Sequence, residues 1–207
     1  MDKRTALIMI DMQRAYLELE SPVCIPGAKD TVPACAELIR ACREREIPVF
    51  FVARGYRDDG SDVEHPRVES WLKAGRPVSK SAQGHLSGQF PEEFGVRPSD
   101  YVVIKPRFSA FFGTELDSML RRLGVDTLLM AGTTTPNCIR SSAYDAIALE
   151  YNVAVAVDCT SAATEEIQRV NLEDMQRIGV QLVDSKDFVS GKAQIYDSLG
   201  IARELLR

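Results

Sequence analysis

With 207 residues, 45% hydrophobic and 27% charged, the chain suffices for one domain (1–207) with a substantial core and no need of disulfide or metal staples. A net charge of −5, with both signs interspersed, argues against a nucleic-acid face, and the five apolar residues before Asp11 are too few for a signal-peptide core or a membrane span. Five widely spaced cysteines without a CxxC argue against a zinc ribbon or a dithiol motif and point to a reduced, cytoplasmic protein.

In chain order, residues 6–10 read as a short buried strand that ends on Asp11. Residues 32–45 read as a helix with Cys35, Leu38, Ile39 and Cys42 on one face, Thr31 as its cap and Pro33 in its first turn. Strands come next at 48–53 and 101–104, the second ending on Lys105. Between them, residues 54–100 carry six glycines and four prolines, and only 68–73 reads as helical. A connection of that length is usually functional, such as a lid or a pocket wall. A helix at 114–123 would bury Leu116, Met119, Leu120 and Leu123, with Thr114 and Asp117 as a capping pair and Gly124 as its stop. Then come a strand at 126–130, a helix at 138–150, a strand at 152–157, a helix at 167–178 stopped by Gly179, a strand at 180–183 and a terminal helix over 192–206. Strands separated by helices predict an α/β fold with a parallel sheet covered on both faces.

Ligands of open parallel sheets bind outside the carboxyl ends of the strands. Three reactive side chains fall there: Asp11, Lys105 and Cys138. In the stretch "AGTTTPNC", a cap at Thr135 and Pro136 as first residue would put Cys138 in the first turn of a helix. Unpaired backbone N–H groups and the helix dipole there favour a thiolate and a developing oxyanion. A thiol also needs a proton acceptor. Histidine is the usual one, but His65 and His85 both lie in the irregular segment. An aspartate can serve where burial beside a thiol makes it more basic. Each residue taken alone also has a plain reading: a turn former, a surface charge, an inert cysteine.

"LIMIDMQRAY", "DGSDVE" and the block from "VVIKPRFSAFFG" through "LLMAGTTTPNCIRSSAYDAIALEYNVAVAVDC" resemble the isochorismatase-like cysteine hydrolases. That superfamily includes nicotinamidases, N-carbamoylsarcosine amidase and ureidoacrylate amidohydrolases. The resemblance implies a three-layer α/β/α fold with a six-stranded parallel, Rossmann-like sheet, in a homo-oligomer (dimer or tetramer). It makes Asp11 the general base, Lys105 the orienting cation and Cys138 the nucleophile. It implies a cis peptide between Thr133 and Thr134, and an oxyanion hole from the N–H groups of Thr134 and Cys138.

Relatives that cleave a vinyl ether lack the cysteine, so Cys138 implies hydrolysis of a C–N bond in a small carboxamide or carbamoyl compound through a thioester. Nicotinamidases carry an Asp-x-His…His metal site after the second strand, where this chain has "ARGYRDDGSDVEHP". No metal or cofactor is therefore expected, although Asp58, Asp59, Asp62 and Glu64 could hold a hard ion weakly. Arg54 and Arg57 are candidates for a substrate carboxylate; Tyr16, Trp71, Phe108, Phe111 and Phe112 for the pocket wall; and Gln13 for a polar role near Asp11. The alternatives are a nicotinamidase, an isochorismatase-type hydrolase, a thiol sensor and a Rossmann-like binding module. The last would want a glycine-rich loop that "IDMQRAYLE" lacks.

Overall fold

Apolar residues run unbroken through the central strands, so these strands must be covered on both faces. In the computed structural model, which describes residues 5–206, six strands pair in parallel in the order β3-β2-β1-β4-β5-β6. They are β1 (Thr5–Ile10), β2 (Val49–Arg54), β3 (Tyr101–Lys105), β4 (Thr127–Thr133), β5 (Asn152–Ser161) and β6 (Gln181–Val183). The helices are α1 (Arg14–Leu17), α2 (Val32–Glu44), α3 (Val68–Lys73), α4 (Leu116–Arg122), α5 (Arg140–Ala148), α6 (Glu165–Arg177), α7 (Ser185–Ser190) and α8 (Ser198–Leu205).

Alternation along each strand builds two cores. Ile8, Ile10, Phe50, Val52, Leu128 and Met130 pack with Leu116 and Leu120 of α4, Ala143 of α5 and Met175 of α6. The intervening Leu7, Met9, Phe51, Leu129 and Ala131 pack with Leu38, Ile39 and Cys42 of α2 and Phe188 of α7. The result is three layers, α/β/α. The edge strand β3 departs from the expected double cover, because Val102 and Ile104 on one of its faces are exposed. The long connection after β2 has a small core of its own, in which Tyr56, Val63, Trp71 and Val78 pack with Ala15 of α1.

Several caps and boundaries differ from the sequence reading, each for a local reason. Thr31 does not cap α2; its hydroxyl donates to Ala28 O at 2.8 Å, within a preceding 3-10 turn. Helix α4 starts at Leu116, Asp117 turns to Tyr151 and Arg121 instead of capping, and Leu123 is exposed. Thr135 likewise sends its hydroxyl to Ser161 O at 3.0 Å, and Cys138 lies in a π-type turn (Thr135–Ile139) leading into α5. The terminal helix covers only Ser198–Leu205, and α7 was not anticipated; its cap is Asp184, which accepts from Lys186 N.

Gly132 of β4 pairs with Ile10 at the end of β1. It has φ +117°, and a Cβ there would sit 2.0 Å from Ile10 O. Only glycine lets β4 lie this near the end of β1, which sets the spacing between Asp11 and the turn that leads from β4 to Cys138. Gly132→Ala should cost on the order of 3 kcal/mol or more and lower activity with it. Urea unfolding checks this, and near-native stability would contradict it.

Candidate active site

Strand β1 lies between β2 and β4, so the chain order reverses beside it; in parallel sheets such a switch point opens a crevice at the carboxyl ends. Four strand ends meet there. Asp11 follows β1, Arg54 ends β2, Lys105 ends β3, and Thr133 ends β4 and leads to Cys138. Asp11, Lys105, Arg54 and Cys138 are all buried.

Lys105 Nζ donates to Asp11 Oδ2 at 2.7 Å and to Arg107 O at 3.1 Å. Asp11 Oδ1 is buried and has no hydrogen-bond partner among the described residues. One carboxylate oxygen is thus fixed by the lysine and the other is left without a donor. The backbone holds Asp11 in place: its N–H donates to Val52 O at 2.8 Å, with φ at +52°. Burial, and then the negative charge of Asp11, push the Cys138 thiol above its ordinary pKa, while Lys105 and Arg54 pull the other way.

The turn before the cysteine owes its shape to three threonines. Thr133 Oγ1 shares a hydrogen bond with Ser161 Oγ at 2.9 Å, and the hydroxyls of Thr134 and Thr135 donate to Ser161 O at 3.2 and 3.0 Å. All three tie the turn to the end of β5. The Thr133–Thr134 peptide is cis. Beyond the cysteine, Ser142 Oγ donates to Cys138 O at 2.6 Å and accepts from Ala110 N at 2.9 Å, joining α5 to the loop after β3.

A cavity of about 270 Å³ opens onto Cys138 and Asp11, walled by Tyr16, Phe108, Asn137 and Arg67 among others. Larger clefts beside Phe90 and Arg97 include neither Asp11 nor Cys138. Of the residues proposed to touch substrate, Tyr16, Arg54 and Phe108 line this cavity. Gln13 does not. Its amide clamps the Arg54 backbone, accepting from Arg54 N at 2.7 Å and donating to Arg54 O at 2.9 Å. Arg57 is 68% exposed and turned to Asp59. Trp71 is in the small core with its indole N–H on Pro77 O, Phe111 packs beside Tyr151, and Phe112 is exposed. His65 and His85 are exposed on 3-10 turns outside the cavity.

Arg67 and Tyr56 carry no signal in the sequence, and Glu64, considered there only as a weak ligand for a hard ion, instead pairs with Arg54. Arg54 Nη1 donates to Glu64 Oε1 at 2.7 Å and to Tyr56 OH at 2.9 Å; the Tyr56 hydroxyl donates to Glu64 Oε2 at 2.6 Å. Although burial opposes its charge, the Tyr56 hydroxyl and Arg54 hold the Glu64 carboxyl below the usual range. Arg54 and Arg67 both lie over the Phe108 ring, at 5.0 and 5.4 Å from its centre. The available signal was a charge closing an apolar strand: Arg54 ends β2 as Lys105 ends β3. Asp59 and Asp62 are engaged by Arg57 and Asp58 by Ser81, and no metal-holding group of three His, Cys, Asp or Glu occurs among the described residues.

Sheet order, layers and switch-point cavity define a three-layer α/β protein of Rossmann-like topology. The chain belongs to the isochorismatase domain family, whose model matches residues 5–187. It is 39% identical over 181 residues to a probable inactive nicotinamidase from Arabidopsis thaliana, covering 86% of this chain and 91% of that one. A ureidoacrylate amidohydrolase from Azorhizobium caulinodans is 29% identical over 210 residues, 93% of this chain and 92% of that protein. Among solved structures, an isochorismatase family protein from Desulfovibrio vulgaris superposes with a TM-score of 0.86 at 38% identity, over 93% of this chain and 100% of that one.

Proposed function

We propose that this protein is a cysteine-dependent amidohydrolase that cleaves a C–N bond of a small carboxamide or carbamoyl compound and releases ammonia. The observation that carries this reading is a buried carboxylate with one oxygen fixed by Lys105 and the other unpartnered, in the same small cavity as the Cys138 thiol. Asp11 takes the thiol proton at Oδ1, and Sγ adds to the substrate carbonyl carbon, moving the carbonyl electron pair onto oxygen. The N–H groups of Thr134 and Cys138 receive that oxyanion. Its collapse breaks the C–N bond, and Asp11 returns the proton to the departing nitrogen. Water, deprotonated by Asp11, then adds to the thioester; collapse expels the sulfur, which takes the proton back from Asp11, and frees the acid. The relative named as a ureidoacrylate amidohydrolase supports this class of reaction.

Size and charge narrow the substrate. A cavity of about 270 Å³ suits a molecule smaller than a typical drug. Asp11 is neutralised by Lys105, whereas Arg54 and Arg67 share Glu64, at 2.7 and 3.8 Å. One positive charge is left over at the cavity. Arg67, 39% exposed at its rim, is the residue we give to a substrate carboxylate, in place of Arg57. Nicotinamide lacks that carboxylate, and both histidines lie outside the cavity, so it should be a poor substrate. We also infer a cytoplasmic homo-oligomer, with the exposed Val102 and Ile104 of edge strand β3 as the face offered to a second copy.

Ammonia release from a panel of carboxamides and ureides tests the reading, with succinamate and the neutral succinamide as a matched pair. Succinamate should show the lower KM by roughly tenfold, and Arg67→Gln should erase most of that difference. Release of no ammonia from any amide would overturn the amidohydrolase assignment. Equal KM for the pair would overturn only the carboxylate.

A further inference from the structure

Two cations stand side by side at the carboxyl end of the sheet. Arg54 and Lys105 are register partners on β2 and β3, and both side chains are buried. Like charges placed directly across a strand pair repel, and buried charges are tolerated only when paired. Lys105 has Asp11. Arg54 has Glu64 on Nη1, but its Nε is buried with no partner among the described residues, and its Nη2 lies 3.6 Å from Cys138 Sγ.

Nothing about this placement is loose. The Gln13 amide fixes the Arg54 backbone on both sides. Tyr56 and Glu64 hold Nη1, and the rings of Tyr56 and Phe108 flank the guanidinium at 5.7 and 5.0 Å. These contacts aim Nη2 at sulfur. A plain structural ion pair with Glu64 would require none of that aim.

We propose that Arg54 is a fourth catalytic group, which stabilises the Cys138 sulfur as a thiolate both when it attacks and when it is expelled from the thioester. The proposal rests on Cys138 being the nucleophile. When the thiol proton moves to Asp11 Oδ1, the negative charge moves from carboxylate to sulfur. Lys105 keeps its bond to Oδ2, and Arg54 Nη2–H becomes a charge-assisted donor to sulfur. Forming the C–S bond neutralises the sulfur. When the tetrahedral adduct of water collapses, the bonding pair returns to sulfur beside the same donor, which makes it a better leaving group. Burial and the charge of Asp11 both disfavour the thiolate, so a cation in contact with it answers a need that Lys105, engaged by Asp11, meets only in part.

The test reads the sulfur without any substrate. Cys138 is alkylated with iodoacetamide over a range of pH, and the extent is read by mass spectrometry on the peptide containing Cys138. An opposite charge at contact range shifts a pKa by about 1–3 units. Each unit of increase removes about tenfold of the thiolate and restores about threefold in nucleophilicity. Arg54→Gln should therefore move the rising limb of the profile up by at least about one unit and slow alkylation near neutrality by at least about threefold. Its rate at high pH should match or exceed that of the unaltered protein, because a more basic thiolate is more nucleophilic. Arg54→Lys should recover part of the shift.

An unshifted limb in Arg54→Gln would overturn the proposal, as would a uniform loss at every pH, which marks mere disruption. If Arg54→Gln fails to fold, the double variant Arg54→Gln/Glu64→Gln, which removes the ion pair together, is read by the same criteria. Amide turnover is measured separately. A protein that alkylates as described but hydrolyses no amide keeps the Arg54–sulfur pairing and loses the amidohydrolase reading.

Discussion

Replacing Cys138 with alanine should lower amide hydrolysis by on the order of 10⁴-fold or more, while the fold persists. The thiol forms part of a cavity wall, so truncating it by one atom leaves little packing to lose, and Tm should move by only roughly a few degrees. Cys24 also lines the cavity and is the natural control. Its neighbours by charge are Glu18, Glu20 and Lys29, with none of the Asp11–Lys105 arrangement, and burial raises its pKa. Cys24→Ala should retain turnover. An active Cys138→Ala variant would mean that sulfur chemistry at this position is not the reaction.

The second large effect concerns the base. Asp11→Asn keeps the size of the side chain and removes the proton acceptor, so kcat should fall by on the order of 10²-fold or more. Lys105→Met should hurt comparably, because the cation fixes Oδ2 and balances charge beside the sulfur. Each single change strands a buried charge, which can cost about 3–5 kcal/mol. The pair Asp11→Asn/Lys105→Met removes both charges and should unfold at a higher denaturant concentration than either single variant, yet remain inactive. Stability and catalysis are thereby separated. If Asp11→Asn keeps near-normal kcat while His65→Ala or His85→Ala abolishes it, the proton acceptor is a histidine.

The strands were legible because their signal is local: short apolar runs bounded by helical patterns and closed by a charged or small residue. That same signal placed Asp11, Lys105 and Cys138 at strand ends, and a parallel sheet brings strand ends together at one edge. Which partners complete the site was much less legible. Glu64 reaches Arg54 from ten residues away through a connection with no periodicity, and Arg67 reaches Phe108 only because that connection folds back over the sheet. Aromatic residues were the poorest guide. Trp71 and Phe111 entered cores that the sequence could not distinguish from a pocket wall, and Phe112, one residue on, was left exposed. Threonine caps failed for a related reason: Thr135 found Ser161 on the next strand, a contact invisible to helix-start patterns.

The most direct test of the central claim is mass spectrometry of the protein after acid quench of a reaction with its best amide substrate. An adduct of the acyl group should appear on the peptide containing Cys138, build up within the first turnover and be absent from Cys138→Ala. An acyl group found on the Cys24 peptide, or steady turnover with no adduct at any quench time in either the unaltered protein or Arg54→Gln, would contradict the account.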